Sequence, residues 1–286
     1  PLTIMEKIRA VIVLCLAVVV LGLFSSLFID RSSPAPVYLS SIMGASAEEY
    51  FSEAIHLWPK DFDPSQEEAL LAIVVPHHVP ASPMIAHAFL QLSHQSVERV
   101  VLFGPNHTEA GGCKVITSEE FKREWFAANE LVCVDEAVLE SEQAVYTLRP
   151  FISHYLESAT VVPLLLSNYL SYEEVEELSS TISQQLADAD VLVGSVDFSH
   201  YLPLDEATKM DEETLALIQE NKHDELLTFD QDHLDSPESI VLIQKILEMH
   251  DTSLVVQAHE NFVSQQSDTT QPSTSYFELL WYELEE

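Results

Sequence analysis

The sequence predicts an α/β protein, a single three-layer αβα domain with a mostly parallel central sheet, preceded by an N-terminal transmembrane helix. Apolar runs rich in β-branched residues, typical of buried strands, alternate with amphipathic stretches that have helical spacing. Several of these runs end in polar residues, as strands do at the edge of a sheet. A long uncharged segment near the N-terminus supplies the membrane helix.

The N-terminal segment, residues 10–29, contains no charged side chain. A helix of this length measures about 30 Å, which matches the hydrocarbon core of a bilayer. A cleaved signal peptide is the alternative, although the run is long for one and lacks a clear cleavage site. Because Lys7 and Arg9 precede the run, the positive-inside rule predicts a single-pass membrane protein with its N-terminus in the cytoplasm and its domain outside.

The chain divides by composition into four parts. A Ser-, Pro- and Ala-rich linker separates the membrane segment from the folded domain. The predicted boundaries are 1–9 for the cytoplasmic flank, 10–29 for the membrane anchor or signal segment, 30–48 for the linker and 49–286 for the domain.

Strands and helices alternate along the domain. The strand predictions rest on short β-branched or apolar runs, and the helix predictions on a repeat of three to four residues and on capping signals such as Ser236-Pro237. Predicted strands are 69–76, 97–104, 113–117, 160–166, 191–198, 253–259 and 275–282. Predicted helices are 48–58, 84–93, 135–155 (broken near Pro150), 172–187, 204–221, 224–229 and 237–249.

Composition excludes several functions. The chain has 12 Lys and Arg against 47 Asp and Glu, a net charge of −35, so it lacks the basic patch that nucleic acid requires. It has only 6 glycines and no Gly-rich phosphate loop, which argues against nucleotide binding by such a loop, and it has no Gly-x-Ser-x-Gly elbow, which argues against an α/β-hydrolase.

Cys113 and Cys133 are the two cysteines of the domain, and the sequence leaves open whether they pair.

Three histidines follow apolar runs: His77, His107 and His200. Since ligands of α/β sheets bind at the carboxyl ends of the strands, we expect these imidazoles to meet at one edge. Imidazoles that converge in this way are typical of a metal site.

The residues around these histidines resemble the Memo family, the B-type proteins of the AmmeMemoRadiSam system. Three motifs carry the resemblance over residues 70–282: Pro76-His77, Gly104-Pro105-Asn106-His107 and Asp197-Phe198-Ser199-His200. It implies a fold related to the class III extradiol dioxygenases and a metal site at the strand ends, with His77 and His107 as ligands.

The third family ligand is a cysteine in a Cys-Gly-x-x-Pro-Ile motif, and Asp235 occupies its position here. Two histidines and one carboxylate form the set that suits iron(II), which we favour over copper or zinc. Asp235 as a simple helix cap is the alternative.

The chain also departs from the family at a Glu-His-Ser-x-Glu motif, which reads Glu142-Gln143-Ala144-Val145-Tyr146. Gln143 stands where the family has a histidine and does not titrate, so His200 becomes the expected acid or base, or a further metal ligand. Asp197 is expected either to orient His200 or to accept backbone N–H groups. His78, next to His77, is a secondary ligand candidate.

Together, the uncharged N-terminal segment and the resemblance imply a membrane-anchored metal-binding protein, with non-haem-iron redox chemistry on an unknown small-molecule substrate as the favoured function. A non-catalytic binding module with a vestigial site and a metal-dependent hydrolase stay open as alternatives. The protein partner, if there is one, is not defined by the sequence.

Overall fold

Within residues 69–262 and 270–284, the part of the chain that this computed structural model describes, nine strands form one mixed sheet. The strand order is β4-β3-β5-β2-β6-β1-β9-β7, and β8 pairs with β9 outside this path. The strands are β1 Leu70–Val75, β2 Arg99–Pro105, β3 Val115–Thr117, β4 Val132–Val134, β5 Thr160–Leu166, β6 Asp190–Ser195, β7 His200–Leu202, β8 Thr252–Asn261 and β9 Ser273–Glu283.

Nine α-helices and one short 3-10 helix (Val79–Ala81) connect the strands of the described chain. The α-helices are α1 Ser82–Leu92, α2 Glu119–Glu124, α3 Glu136–Ser141, α4 Gln143–Tyr146, α5 Arg149–Tyr155, α6 Tyr172–Ser183, α7 Leu204–Gln219, α8 His223–Leu226 and α9 Pro237–Leu247.

Helices cover both faces of the sheet. Alternate residues of β1 belong to different cores, because successive side chains of a strand point to opposite faces: Val74 packs with α6 and α9, and Ile73 packs with α1 and α5. The almost continuous burial of β1, β2 and β6 follows from this cover on both faces. The predicted α/β architecture with a central sheet is therefore confirmed.

The prediction of a mostly parallel sheet needs a correction. The four central strands β5, β2, β6 and β1 are parallel neighbours, but β9 is antiparallel to β1, β7 and β8, and β3 is antiparallel to β5. β8 and β9 follow one another in the chain without a helix between them among the described residues, and strands joined in this way pair antiparallel. The parallel core is thus extended by antiparallel strands on both sides.

The predicted strand 191–198 is also corrected at its end. β6 stops at Ser195, Phe198 forms an isolated antiparallel bridge with Leu234, and His200 begins the separate strand β7. His200 is therefore placed by an edge strand that pairs with β9, and not by the end of a central strand.

Cys113 and Cys133 form a disulfide, which settles the pairing that the sequence left open. The predicted membrane segment and linker, residues 10–48, lie outside the described residues, as does the predicted helix 48–58. In the described part, no helix is both long and apolar enough to cross a bilayer.

Candidate metal centre

Two imidazoles and one carboxylate meet at the carboxyl edge of the parallel strands. The Nε2 atom of His77 lies 3.1 Å from Oδ2 of Asp235, and the Nε2 atom of His107 lies 3.5 Å from the same oxygen. One donor atom from each of the three residues lies within 4.8 Å of the other two. This is the spacing of side chains that surround a single ion.

The parallel strands explain why the two histidines meet. His77 follows the end of β1 by two residues, and His107 follows the end of β2 by two residues. Both strands pair with β6 in parallel, so their carboxyl ends lie at the same edge of the sheet. The two rings meet edge to face, with their centroids 5.1 Å apart.

Asp235 is held by a reciprocal pair of hydrogen bonds with Asp197. The backbone N–H of Asp235 donates to the carbonyl oxygen of Asp197 at 3.1 Å, and the N–H of Asp197 donates to Oδ1 of Asp235 at 3.2 Å. Ser236, and not Asp235, is the N-cap residue of α9. Oδ2 of Asp235 therefore faces the two imidazoles, and a helix-capping role does not explain this orientation of the side chain.

The imidazoles are oriented from behind by polar side chains. Nδ1 of His107 lies 2.7 Å from Oε1 of Glu142, and Nδ1 of His77 lies 3.2 Å from Oγ of Ser195. With Nδ1–H of His107 donating to Glu142, Nε2 is the ring nitrogen that faces Asp235, which is how metal-bound histidines are commonly oriented.

Sequence reasoning gave no role to Glu142, although it stands at the first position of the altered family motif. Glu142 also accepts the backbone N–H of His107 through Oε2 at 3.3 Å, and the side chain of Gln143 donates to the carbonyl oxygen of His77 at 3.2 Å. The signal was present in the motif, but only the folded geometry assigns its function.

The charges of the centre reinforce one another. Burial lowers the pKa of His107, but the negative charges of Asp235 and Glu142, the latter hydrogen-bonded to Nδ1, outweigh burial and raise it to about 10. Burial also lowers the pKa of His77, and the carboxylates of Asp197 and Asp235 produce a net rise. Burial opposes ionisation of Asp235, yet the imidazoles of His77 and His107 hold its pKa well below the usual range. Asp235 is therefore an anion in a buried position.

The buried carboxylate of Asp235 is suited to bind a cation. Asp235 is 3% exposed, and its Oδ2 accepts no well-aligned hydrogen bond within the described residues despite the two nearby Nε2 atoms. Buried polar atoms normally have a partner, and two imidazole nitrogens with one carboxylate oxygen form a recognised ligand set for iron(II) and similar ions. The side chain of His107 is 31% exposed, so the centre is open to solvent on that side.

A second set of potential ligands shares Asp235. Asp197, His200 and Asp235 each offer a donor atom within 4.8 Å of the other two. Asp197 also accepts the backbone N–H of His77 at 3.0 Å, which links the two sets. The two residues predicted from sequence to be catalytic, Asp197 and His200, thus lie beside the first set.

Two further histidines that lie close in sequence to the predicted ligands take other roles. Nδ1 of His78 lies 2.6 Å from the hydroxyl of Tyr276, and His78 belongs to neither ligand set. His233, close in sequence to Asp235, stacks on Phe229 with centroids 3.8 Å apart.

Comparisons with known proteins agree with the motifs. A family model described as Memo-like protein matches residues 44–271. A MEMO1 family protein from Methanocaldococcus jannaschii is 28% identical over 184 residues, which are 56% of this chain and 64% of that protein. Another from Methanopyrus kandleri is 28% identical over 169 residues, which are 52% of this chain and 60% of that protein. The matches thus cover less than two thirds of the length of these relatives.

A solved structure shares the fold. The crystal structure of an uncharacterized protein from Escherichia coli superposes with a TM-score of 0.50 at 11% identity, covering 73% of this chain and 99% of that one. The likeness concerns the fold alone. The resemblance drawn from the sequence motifs is confirmed by the family model, which matches more than half of the chain, and the chain therefore belongs to the Memo family.

Proposed function

We propose that this Memo-family protein binds a divalent metal ion, with iron(II) favoured over copper and zinc, between His77, His107 and Asp235. The observation that carries the proposal is the approach of two imidazole Nε2 atoms to 3.1 and 3.5 Å from one buried carboxylate oxygen. This set leaves coordination positions open, as in the two-histidine, one-carboxylate iron enzymes.

Some residues around the site orient the metal ligands, and others are placed to transfer protons. Glu142 and Ser195 orient the imidazoles, and the N–H of Asp197 fixes the second oxygen of Asp235. When one ion is bound, we assign His200 the role of acid or base, with Asp197 beside it. A bound iron(II) ion would supply redox chemistry with O₂ toward a small-molecule substrate, which enters on the open side at His107.

We also propose that the domain lies outside the cytoplasm, held by residues 10–29 as a membrane anchor. The uncharged segment and the basic residues before it support this orientation. The disulfide between Cys113 and Cys133 is a second support, because disulfides persist in oxidising compartments.

The test uses the full chain purified in detergent, stripped with a chelator and loaded with iron(II) without oxygen. We expect retained iron and iron-dependent O₂ consumption in the presence of a reductant. Both should be lost in His77→Ala and in His107→Ala, and kept in the control His250→Ala, which changes an exposed histidine paired with Glu283.

Two outcomes would overturn the proposal. Failure of the unaltered chain to retain iron, copper or zinc would make this a non-catalytic module with a vestigial site. Retention of zinc with ester or amide turnover and no O₂ consumption would make it a metal-dependent hydrolase.

A further inference from the structure

We propose that Asp235 bridges two cations, the second held by Asp197 and His200 and best suited to manganese(II) or iron(II). This inference rests on the proposed function, because the first cation shares the same carboxylate. It adds a metal site to the centre and turns a mononuclear site into a binuclear one.

The distribution of donor atoms is the first argument. Asp235 and four neighbouring side chains carry ligand atoms, and they form two sets of three that share Asp235 rather than one set of five. Donors arranged around a single ion would form one mutual set. The two sets are adjacent, because Nε2 of His77 lies 3.7 Å from Oδ2 of Asp197, and two ions that share a ligand in binuclear enzymes lie about 4 Å apart.

The carboxylate of Asp235 has the capacity to bridge. Its Oδ2 faces the imidazoles of His77 and His107. Its Oδ1 accepts the N–H of Asp197 at 3.2 Å, which occupies one of the lone pairs of that oxygen. An ionised carboxylate has about four lone-pair positions, so both oxygens have room for a cation.

An unsatisfied polar atom is the second argument. Within the described residues, Nδ1 of His200 is buried and lacks an aligned hydrogen-bond partner. His200 belongs to the second set of ligands. A cation at that position would account for a buried imidazole nitrogen that nothing else in the described structure explains.

The composition of the second set determines its preference. It contains two carboxylates and one imidazole, whereas the first contains two imidazoles and one carboxylate. Oxygen-rich sites favour harder cations such as manganese(II) and bind late transition metals less strongly. We therefore expect late transition metals to fill the first position before the second.

The experiment is a titration of the chelator-stripped full chain with manganese(II) in the absence of other metals, followed by metal analysis and by electron paramagnetic resonance. The unaltered chain should bind two ions per molecule, and the resonance should pass from an isolated to an exchange-coupled signal as the second ion enters. His200→Ala should bind one ion and give only the isolated signal, and His250→Ala should behave like the unaltered chain.

Asp197→Asn serves as the second variant, because it preserves the shape of the side chain and keeps an acceptor for the N–H of His77. It should also stop at one ion, and circular dichroism establishes that each variant is folded. A single bound ion in the unaltered chain, or two ions retained in folded His200→Ala and Asp197→Asn, would overturn the bridge while leaving the proposed mononuclear site intact. No bound ion at all would overturn both proposals.

Discussion

At position 235 this protein has a carboxylate where the Memo motif has a cysteine, and the structure brings that carboxylate to two histidines. A carboxylate is a hard ligand and a thiolate a soft one, so we expect the substitution to shift the metal preference of the proposed site toward iron(II) or manganese(II). Oδ1 of Asp235 also accepts the backbone N–H of Asp197, and this hydrogen bond stabilises the segment before α9.

Glu142 provides the first prediction at the residue scale. Its carboxylate accepts the Nδ1–H of His107, so Glu142→Ala should leave this imidazole free to rotate and should weaken metal affinity about 10- to 100-fold. Isothermal titration with manganese(II) measures the change.

The matched control for Glu142 is Glu140→Ala, which removes an exposed carboxylate from α3, the helix that Glu142 caps at its C-terminal end. Its affinity should equal that of the unaltered chain. Equal losses in the two variants would mean that overall charge, and not orientation of His107, sets the affinity.

Glu238 provides a prediction about pH. Glu238 is 2% exposed, and burial, with the carboxylates of Glu109 and Asp235, raises its pKa from 4.5 to about 7. Between these two values the folded protein holds a proton that the unfolded chain has released, so the free energy of unfolding falls as pH rises. Glu238→Gln lacks this titration.

Urea unfolding of chelator-treated protein at pH 5 and pH 8 tests this effect. The loss of stability between the two pH values should be smaller in Glu238→Gln by about 2 kcal/mol. The exposed Glu220→Gln serves as the control. An unchanged loss in Glu238→Gln would show that the carboxyl of Glu238 is ionised in the folded protein at pH 5.

The sequence predicts the residues of the first ligand set better than it predicts what supports them. His77, His107 and Asp235 stand in motifs, and the rule that parallel strands present their carboxyl ends at one edge is enough to bring the histidines together. Glu142 lies 35 positions from His107, and its contact depends on how the chain after α3 packs against β2. No local pattern encodes a contact of that kind.

At the scale of elements, Gly104 controls how closely α4 approaches β2. A Cβ atom at Gly104 would lie 2.6 Å from Cβ of Ala144, well inside van der Waals contact. Gly104→Ala should therefore displace α4 together with Glu142, lower the stability by about 1–3 kcal/mol and weaken metal affinity about tenfold. Thermal unfolding and metal titration measure the two effects.

Ala144→Gly in the same chain is the matching rescue. It removes the atom that clashes, so metal affinity should return, although a glycine inside a helix costs about 1 kcal/mol of stability. A double variant as weak in metal binding as Gly104→Ala would mean that the approach of α4 does not position the centre.

The elements themselves were predicted to different degrees. The central strands β1, β2, β5 and β6 are apolar and buried on both faces, and composition alone identifies them. β7 has only three residues and exists through its pairing with β9, some seventy residues later. A pairing between such distant segments leaves no periodic signal in either one, which is why the position of His200 was the least well predicted.

At the scale of the whole molecule, charge governs how cations approach the centre. The chain carries a net charge of −35, which attracts divalent cations over distances longer than direct contact. The association rate of manganese(II), followed by stopped flow, should therefore fall several-fold between low salt and 0.5 M sodium chloride, because salt screens this attraction. An association rate that does not change with salt would mean that the centre is filled without help from the surface charge.

Anomalous diffraction from crystals soaked with iron(II) or manganese(II) would locate a metal ion bound by His77, His107 and Asp235. We predict a strong anomalous peak about 2 Å from Nε2 of His77, Nε2 of His107 and Oδ2 of Asp235. A map with no peak between these atoms, after soaking at saturating metal, would contradict the account.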